Sequence, residues 1–321
     1  MSAANPPSDQ RGIALITAML VVFLATFAAS DLAYRVQLAI NRTAVVLGQR
    51  QALYYAIGVE QWAAEILRRD AEDSETDHAQ EGWAKPFAEL PIEGGKISGY
   101  ISDQQGRFNL NGLIGEQGVV DETQFERLLT LLRSVGADEN VGAAMVDWID
   151  ADENETVDKG NGAESLYYMT LKPPYRAANG PMSHITELRL VKGVDGETFA
   201  ALEPHLTVLP VATGPEAVGI NVNAASVPVL MALSPELGEA DAKALRDEAA
   251  NTAFDSVEGF LAHSAISGLA LDAAGLTVAS RFFSVHAEVE TEYGYARIDS
   301  LIERVPDGPV RVIRRELGGP V

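Results

Sequence analysis

Eighteen consecutive residues, Ile13 to Ser30 (IALITAMLVVFLATFAAS), carry no charge. As a helix rising about 1.5 Å per residue they span roughly 27 Å, close to the hydrocarbon thickness of a bilayer. The pattern does not stop there. Apolar residues continue at helical spacing through Leu32, Val36, Ala39, Ile40, Val46, Leu47, Leu53, Ile57, Ala64 and Leu67, and no proline occurs between Ile13 and Pro86. One helix from Ile13 to about Arg69, on the order of 85 Å long, is predicted: residues 13–30 cross a membrane and residues 31–69 continue as an amphipathic rod. Gly48 and Gly58 each cost about 1 kcal/mol relative to Ala inside a helix and predict local bends.

Beyond the helix, Asp70 to Gln80 is acidic and unpatterned and reads as a solvated loop. Lys96 to Asn111 alternates as a strand with a turn at Gln105-Gly106. Phe283 to Tyr293 alternates again, Tyr295 to Val305 follows, and Pro306-Asp307-Gly308 turns the chain towards a last strand, Val310 to Ile313. Between Leu113 and about Ser280 the spacing is helical throughout. An early strand, a long helix-rich stretch and late strands predict an insertion, because the early strand needs the late ones as antiparallel partners. The expected class is α+β. The long helix packs on an antiparallel sheet begun by residues 70–111 and completed by residues 281–321, and residues 112–280 form an inserted α-domain.

Met1 to Gly12 is polar and ends in Arg11-Gly12, and three readings of it compete. A secretory signal could be cut at Ala28-Ala29-Ser30, before Asp31. A plain anchor would stay whole. A leader of the prepilin type would be cut after Gly12, leaving Ile13 as the first mature residue. Continuity decides for the last, because a removed signal peptide has no need to stay in phase with the helix that follows it.

Composition narrows the function. The 321 residues hold 24 Lys plus Arg against 46 Asp plus Glu, a net charge of −22, and no cysteine. Nucleic acid is excluded as a partner on charge, since phosphate binding gains affinity from clustered cations. Disulfides, thiolate catalysis and cysteine-held metals are excluded outright. A stretch around Lys192-Gly193-Val194-Asp195-Gly196, within Ile185 to Leu202, resembles a helix-hairpin-helix unit, but the scarcity of cations gives it a packing role. The Asn residues of FNLN (108–111) and INVN (220–223) read as caps or turn formers. No nucleophile elbow, phosphate loop or zinc-binding HExxH motif occurs, and His78, His184, His205, His263 and His286 are scattered, so no enzyme is expected.

One acidic run remains. Asp138 to Glu164 holds nine acids and one lysine, and within it Asp150, Asp152, Asn154, Thr156 and Asp158 alternate. Oxygens at that spacing converge on one hard cation in calcium loops. The match to an EF-hand is partial: Glu155 stands where Gly is required and Asn161 where Glu is, although Glu164, three residues on, offers a carboxylate. A solvated acidic loop and a calcium loop are both open on this pattern. Trp148, Ile149, Gly160, Gly162, Tyr167 and Tyr168 favour a loop folded back on the protein, and Pro173 to Pro181, with Asn179, is placed to close over it.

Arg11 to Thr17 (RGIALIT), GRFNLN (106–111), DWIDAD (147–152), GAE (162–164), ITEL (185–188) and INVN (220–223), in this order, resemble the K-type minor pseudopilins of bacterial type II secretion (general secretion pathway protein K). The resemblance covers nearly the whole chain. It implies a pilin-like fold with an inserted α-domain that holds calcium, for which Asp150, Asp152, Asn154, Thr156, Asp158 and Glu164 are the candidate ligands. It implies a single-pass inner-membrane protein with its bulk in the periplasm, cleaved after Gly12 and N-methylated at Ile13 by the prepilin peptidase. The implied partners are the I-type and J-type minor pseudopilins at the pseudopilus tip, the major pseudopilin and the inner-membrane assembly platform. A minor pilin of a type IV pilus or DNA-uptake system, and a secreted periplasmic hydrolase, are the alternative functions. The chain departs from most pilins at the fifth mature position, where Thr17 replaces a glutamate. A carboxylate in hydrocarbon needs a partner, and a subunit with none above it has no amine to offer one, so Thr17 fits a subunit that starts and caps a filament.

Overall fold

A computed structural model describes residues 9–115, 117–210, 218–305 and 308–318; most of the polar leader (1–8) and Pro306-Asp307 of the expected turn lie outside the described residues. The uncharged and amphipathic segments form one unbroken helix, α1 (Asp9–Asp73), somewhat longer at both ends than the spacing predicts. Its most apolar 18-residue window has a mean hydropathy of 2.4 and none of it is buried against the protein. Burial begins near Gly48 and recurs at Ala52, Ala56, Val59, Ala63 and Leu67, a stripe dominated by small side chains that lets the helix lie close to a sheet.

In chain order the rest comprises β1 (Phe87–Ile92), β2 (Gly95–Asp103), β3 (Phe108–Asn109), α2 (Glu122–Ser134), α3 (Val141–Ile149), α4 (Ser165–Tyr168), α5 (Gly196–Leu202), β4 (Leu206–Thr207), β5 (Ile220–Asn221), α6 (Val227–Met231), α7 (Glu239–Asn251), α8 (Val257–Leu261), β6 (Leu276–Thr277), β7 (Phe282–Thr291), β8 (Gly294–Arg304) and β9 (Val310–Gly318). The main sheet is antiparallel in the order β1-β2-β7-β8-β9. β2 pairs with β7 along its whole length, from Gly95 opposite Thr291 to Asp103 opposite Phe283. The early strand thus finds its partner among the late ones, and the chain between them leaves and re-enters the sheet at adjacent positions.

α1 covers one face of this sheet. Ala52, Ala56 and Val59 meet Ala287, Val289, Ala296 and Ile298; Ala63 and Leu67 meet Trp83, Ile101, Phe283, Val285 and Ile302. Each large side chain of this layer stabilises the fold by roughly 1.5–3 kcal/mol. Gly48 serves close approach: a Cβ there would lie 2.6 Å from Tyr293 Cβ, and one at Gly294 would lie 2.3 Å from the Gly48 carbonyl. Glu60 is the polar exception in the stripe. Arg315 Nε donates to it at 2.8 Å, a second guanidinium nitrogen of Arg315 and the Ser300 hydroxyl also donate, and the side chain is 3% exposed. The inserted part has its own core, built on Phe108, Leu113, Leu128, Met145, Tyr168 and Leu230 among others.

The structure departs from the sequence expectations at several places, each with a local cause. Asp70 to Gln80 is not a solvated loop. α1 continues to Asp73, and Asp77 is 1% exposed, accepting from the Ser280 amide and from Arg304, which also binds Asp70 at 3.1 Å. Burial raises the Asp77 carboxyl to about 6 despite those partners. The turn expected at Gln105-Gly106 is present between β2 and β3, held by Asp103 Oδ1, which accepts from the amides of Gln105 (2.7 Å) and Gly106 (2.6 Å). β1 lacks alternation because its pairing shifts register between Phe87 and Leu90, with Glu89 at φ 48°, and Pro91 is tolerated on an edge strand. The first arm of the hairpin-like unit, Ile185–Leu190, is a 3₁₀ helix. The motif asparagines do more than cap. Asn111 donates to the carbonyls of Met182 and Leu209; Asn221 donates to Asp77 O, Asp103 Oδ2 and Ser280 Oγ; Asn223 exchanges hydrogen bonds with Phe254 in both directions. Each ties distant segments with groups that burial would otherwise leave unpaired.

Candidate metal centre

All nine residues of α3 are buried, and its C-terminal end delivers two carboxylates. Asp147 and Asp150 stand three residues apart, hence on one face of the helix end. The chain then loops outward and returns at Glu164, the residue preceding α4, whose side chain makes no capping bond to that helix. One oxygen from each of Asp147, Asp150 and Glu164 lies within 4.8 Å of the others, and all three residues are buried. Asp147 receives the Thr156 amide at 3.1 and 3.2 Å. Among the described residues, Asp150 Oδ1 and both oxygens of Glu164 have no hydrogen-bond donor.

The return path is tight. A Cβ on Gly162 would sit 2.1 Å from Asp147 Oδ2, so the loop closes over the carboxylates only with glycine there. Lys192 Nζ pins it from outside, donating to Asn161 O (3.3 Å), Asn161 Oδ1 (3.2 Å) and Gly162 O (3.0 Å). Lys159, the lysine of the acidic run, turns away to Glu122 and the Phe125 ring. Asn179, at φ 44°, reaches over as its position suggests and donates to Asp152 O at 2.6 Å, while its buried Oδ1 has no partner.

Three buried carboxylates without a counter-charge repel one another and lose hydration. Burial, then the charges of Asp147, Asp150 and Glu153, push Glu164 up to about 8; burial, then Asp152 and Asp147, push Asp150 up to about 6. Burial also raises Asp147, against the pull of its bonds to Thr156. An all-oxygen donor set with unpaired buried atoms, free of His and Cys, fits a hard divalent cation such as calcium better than a soft transition metal.

Of the candidate ligands read from the sequence, Asp150 and Glu164 are in this cluster. Asp152, Asn154 and Asp158 are exposed, and Asp152 and Asp158 lie outside it; Asp152 Oδ1 accepts from the Asn154 amide and side chain, both at 2.7 Å. Thr156 is half-buried and faces Asp147 through its amide. The alternating pattern misses Asp147, although the Asp147-x-x-Asp150 spacing at a helix end carries the signal. At the other end of the molecule, Gly12 and Ile13 are exposed residues of α1, and among the described residues nothing beyond the local helix backbone and chain neighbours lies within 4 Å of a Cβ built on Gly12. Thr17 Oγ1 bonds back to the carbonyls of Ile13 (3.1 Å) and Ala14 (3.0 Å), so its hydroxyl is satisfied within the helix.

The family model described as type II secretion system (T2SS), protein K matches residues 106–211 and again residues 220–279. Type II secretion system protein K of Pseudomonas aeruginosa is 36% identical, over 96% of this chain and 93% of its own. The protein of the same name from Pectobacterium carotovorum is 33% identical, over 97% and 98%. In fold the chain resembles one in the crystal structure of the GspK-GspI-GspJ complex from the enterotoxigenic Escherichia coli type 2 secretion system, with a TM-score of 0.71 at 23% identity, covering 84% of this chain and 97% of that one. The chain is therefore a member of the type II secretion system protein K family.

Proposed function

We propose that this chain is a minor pseudopilin that starts and caps the periplasmic pseudopilus of a type II secretion system. The observation that carries this reading is α1 itself. An exposed apolar segment long enough to cross a bilayer runs without a break into a stripe buried on the sheet, so membrane anchor and head are one rigid element. Such a helix associates laterally through its apolar surface in the membrane while the head sets which subunits fit.

The solved complex that shares this fold joins GspK with GspI and GspJ, which supports the I-type and J-type minor pseudopilins as the partners here. Cleavage after Gly12 and N-methylation of Ile13 by the prepilin peptidase would trim the first turn of α1 and leave the helix starting with the run of uncharged side chains. The major pseudopilin, the inner-membrane platform and a periplasmic location of the head follow from the same role. Family membership does not favour a type IV or DNA-uptake pilin, nor a secreted hydrolase.

Calcium is the proposed ligand of the inserted part, with Asp147, Asp150 and Glu164 as its holders; when bound it would supply the positive charge that three buried carboxylates lack. The chain's own contribution is to position them, through the end of α3, the Gly162 closure and the Lys192 clamp. Co-expression with the I-type and J-type subunits of the same bacterium tests the assignment. A stable complex containing one copy of each is expected by light scattering, and failure of the full chain to co-purify with either would contradict it.

A further inference from the structure

The segment after α1, strand β2 and the inserted part enclose a half-open cavity of about 490 Å³, within the range of ligand pockets. Trp83, Ala84, Pro86, Ile101, Pro204 and Ala224 form its apolar wall, and Tyr100, 47% exposed, stands at the lining with its ring stacked on His286 at 4.9 Å. The cavity is held in shape by the turn that ends β2, since a Cβ on Gly106 would come within 2.5 Å of the Ala224 carbonyl.

The lining also brings together two arginines, Arg107 and Arg246. Arg107 Nη1 donates to the Glu203 carbonyl at 3.3 Å and lies 3.9 Å from the carboxylate of that residue, at the limit of an ion pair. Arg246 Nη1 reaches the Asn223 carbonyl at 3.5 Å, and no carboxylate lies within 4 Å of it among the described residues. The lining carboxylate, Asp103, is already engaged by the amides of Gln105 and Gly106 and by Asn221 Nδ2. In a chain of net charge −22, two weakly paired guanidinium groups on one apolar cavity form a local exception to the field of the whole molecule.

We propose that this cavity docks a peptide segment of a partner protein in which one carboxylate side chain follows an aliphatic or aromatic one. The apolar wall takes the aromatic or aliphatic group, and Arg107 and Arg246, both on the lining, take the carboxylate, the group that planar guanidinium forks bind best. A single charge is specified because the net charge of −22 on the whole chain repels polyanions. Screening over about 8 Å at physiological ionic strength leaves attraction only at contact distance. The inference stands apart from the secretion role and from the carboxylate cluster on α3.

The test uses the full chain in lipid nanodiscs, titrated calorimetrically with acetyl-Leu-Phe-Glu-amide and acetyl-Leu-Phe-Gln-amide. The glutamate peptide should bind about tenfold more tightly or better, as two charge-assisted contacts require. The double variant Arg107→Gln, Arg246→Gln should lose that preference with an unchanged melting temperature, since both side chains are only half-buried. Equal affinity for the two peptides, no binding of either at millimolar concentration, or a preference that survives in the double variant would each overturn the proposal.

Discussion

Glu60 offers the sharpest test of how the long helix α1 is fixed to the head. Arg315→Ala leaves its buried carboxylate with the Ser300 hydroxyl and no counter-charge. Removing one partner of a buried pair costs about 3–5 kcal/mol. Arg315 is 38% exposed, so water reaches one side of the pair, and solvent screening lowers the expected cost to about 2–3 kcal/mol. For a head of this size that is a fall of roughly 5–10 °C in melting temperature. The double variant Glu60→Leu, Arg315→Leu removes both charges and should recover most of the loss. Acidity gives an independent handle. Burial would raise the Glu60 carboxyl, but hydrogen bonds from Arg315 and Ser300 hold it below its ordinary value of 4.5. The pair therefore stabilises fully above pH 4.5, and its contribution is lost as pH falls through the lowered folded value. The Arg315→Ala deficit should thus be largest at neutral pH and shrink as Glu60 is protonated. Urea titrations of the full chain in nanodiscs, followed by tryptophan fluorescence at pH 7 and pH 4, measure it. A deficit under about 0.5 kcal/mol at pH 7, the level of an ordinary surface change, or one independent of pH, would refute the reasoning.

Other predictions follow from the same contacts. Calcium should stabilise the fold by about 2.7 kcal/mol at a hundredfold excess over Kd, read as a raised melting temperature that chelator reverses, and Glu164→Gln should abolish that response while Asp158→Asn keeps it. Without metal, Asp150 at about 6 and Glu164 at about 8 lie above their unfolded values, so the contribution of these two groups to stability is largest in acid and is lost as pH rises through 6 and 8; saturating calcium should flatten this part of the profile. Gly48→Ala adds a good helix former yet places a Cβ 2.6 Å from Tyr293 Cβ. It should destabilise by about 1–3 kcal/mol, read from denaturant midpoints, because overpacking outweighs propensity. Thr17→Glu should assemble with the partner subunits no better than the native chain in a co-purification assay; improved assembly would count against a capping position.

The helix, the three late strands and the insertion were legible because each rests on a long, regular alternation, from Ile13 to Leu67 at period 3.6 and from Phe283 to Tyr293 at period 2. β1 was not, since Glu89 and Pro91 break its period. The fate of Asp77 was illegible for a different reason: its partners, Ser280 and Arg304, lie more than two hundred residues away, and an acid that meets them reads locally like any solvated acid. The site shows the same division. Alternating acids drew attention to the loop beside the buried carboxylate cluster and to Asp150 in it, with Glu164 picked out as a further acid. The third carboxylate, Asp147, belongs to the helix before the loop, so a pattern read at strand-like spacing passed over it. Asn111, Asn221 and Asn223 looked like turn formers because their sequence neighbours are turns; their cross-chain bonds depend on which segments the fold brings against them.

The claim on which the account rests is that α1 is retained from Ile13 onward, as anchor and as spine of the head. Intact mass spectrometry of the chain purified from a bacterium with an active prepilin peptidase tests it directly. The account predicts a mature protein beginning at Ile13 with a methyl group on its amine, whereas a chain beginning near Asp31 would contradict it.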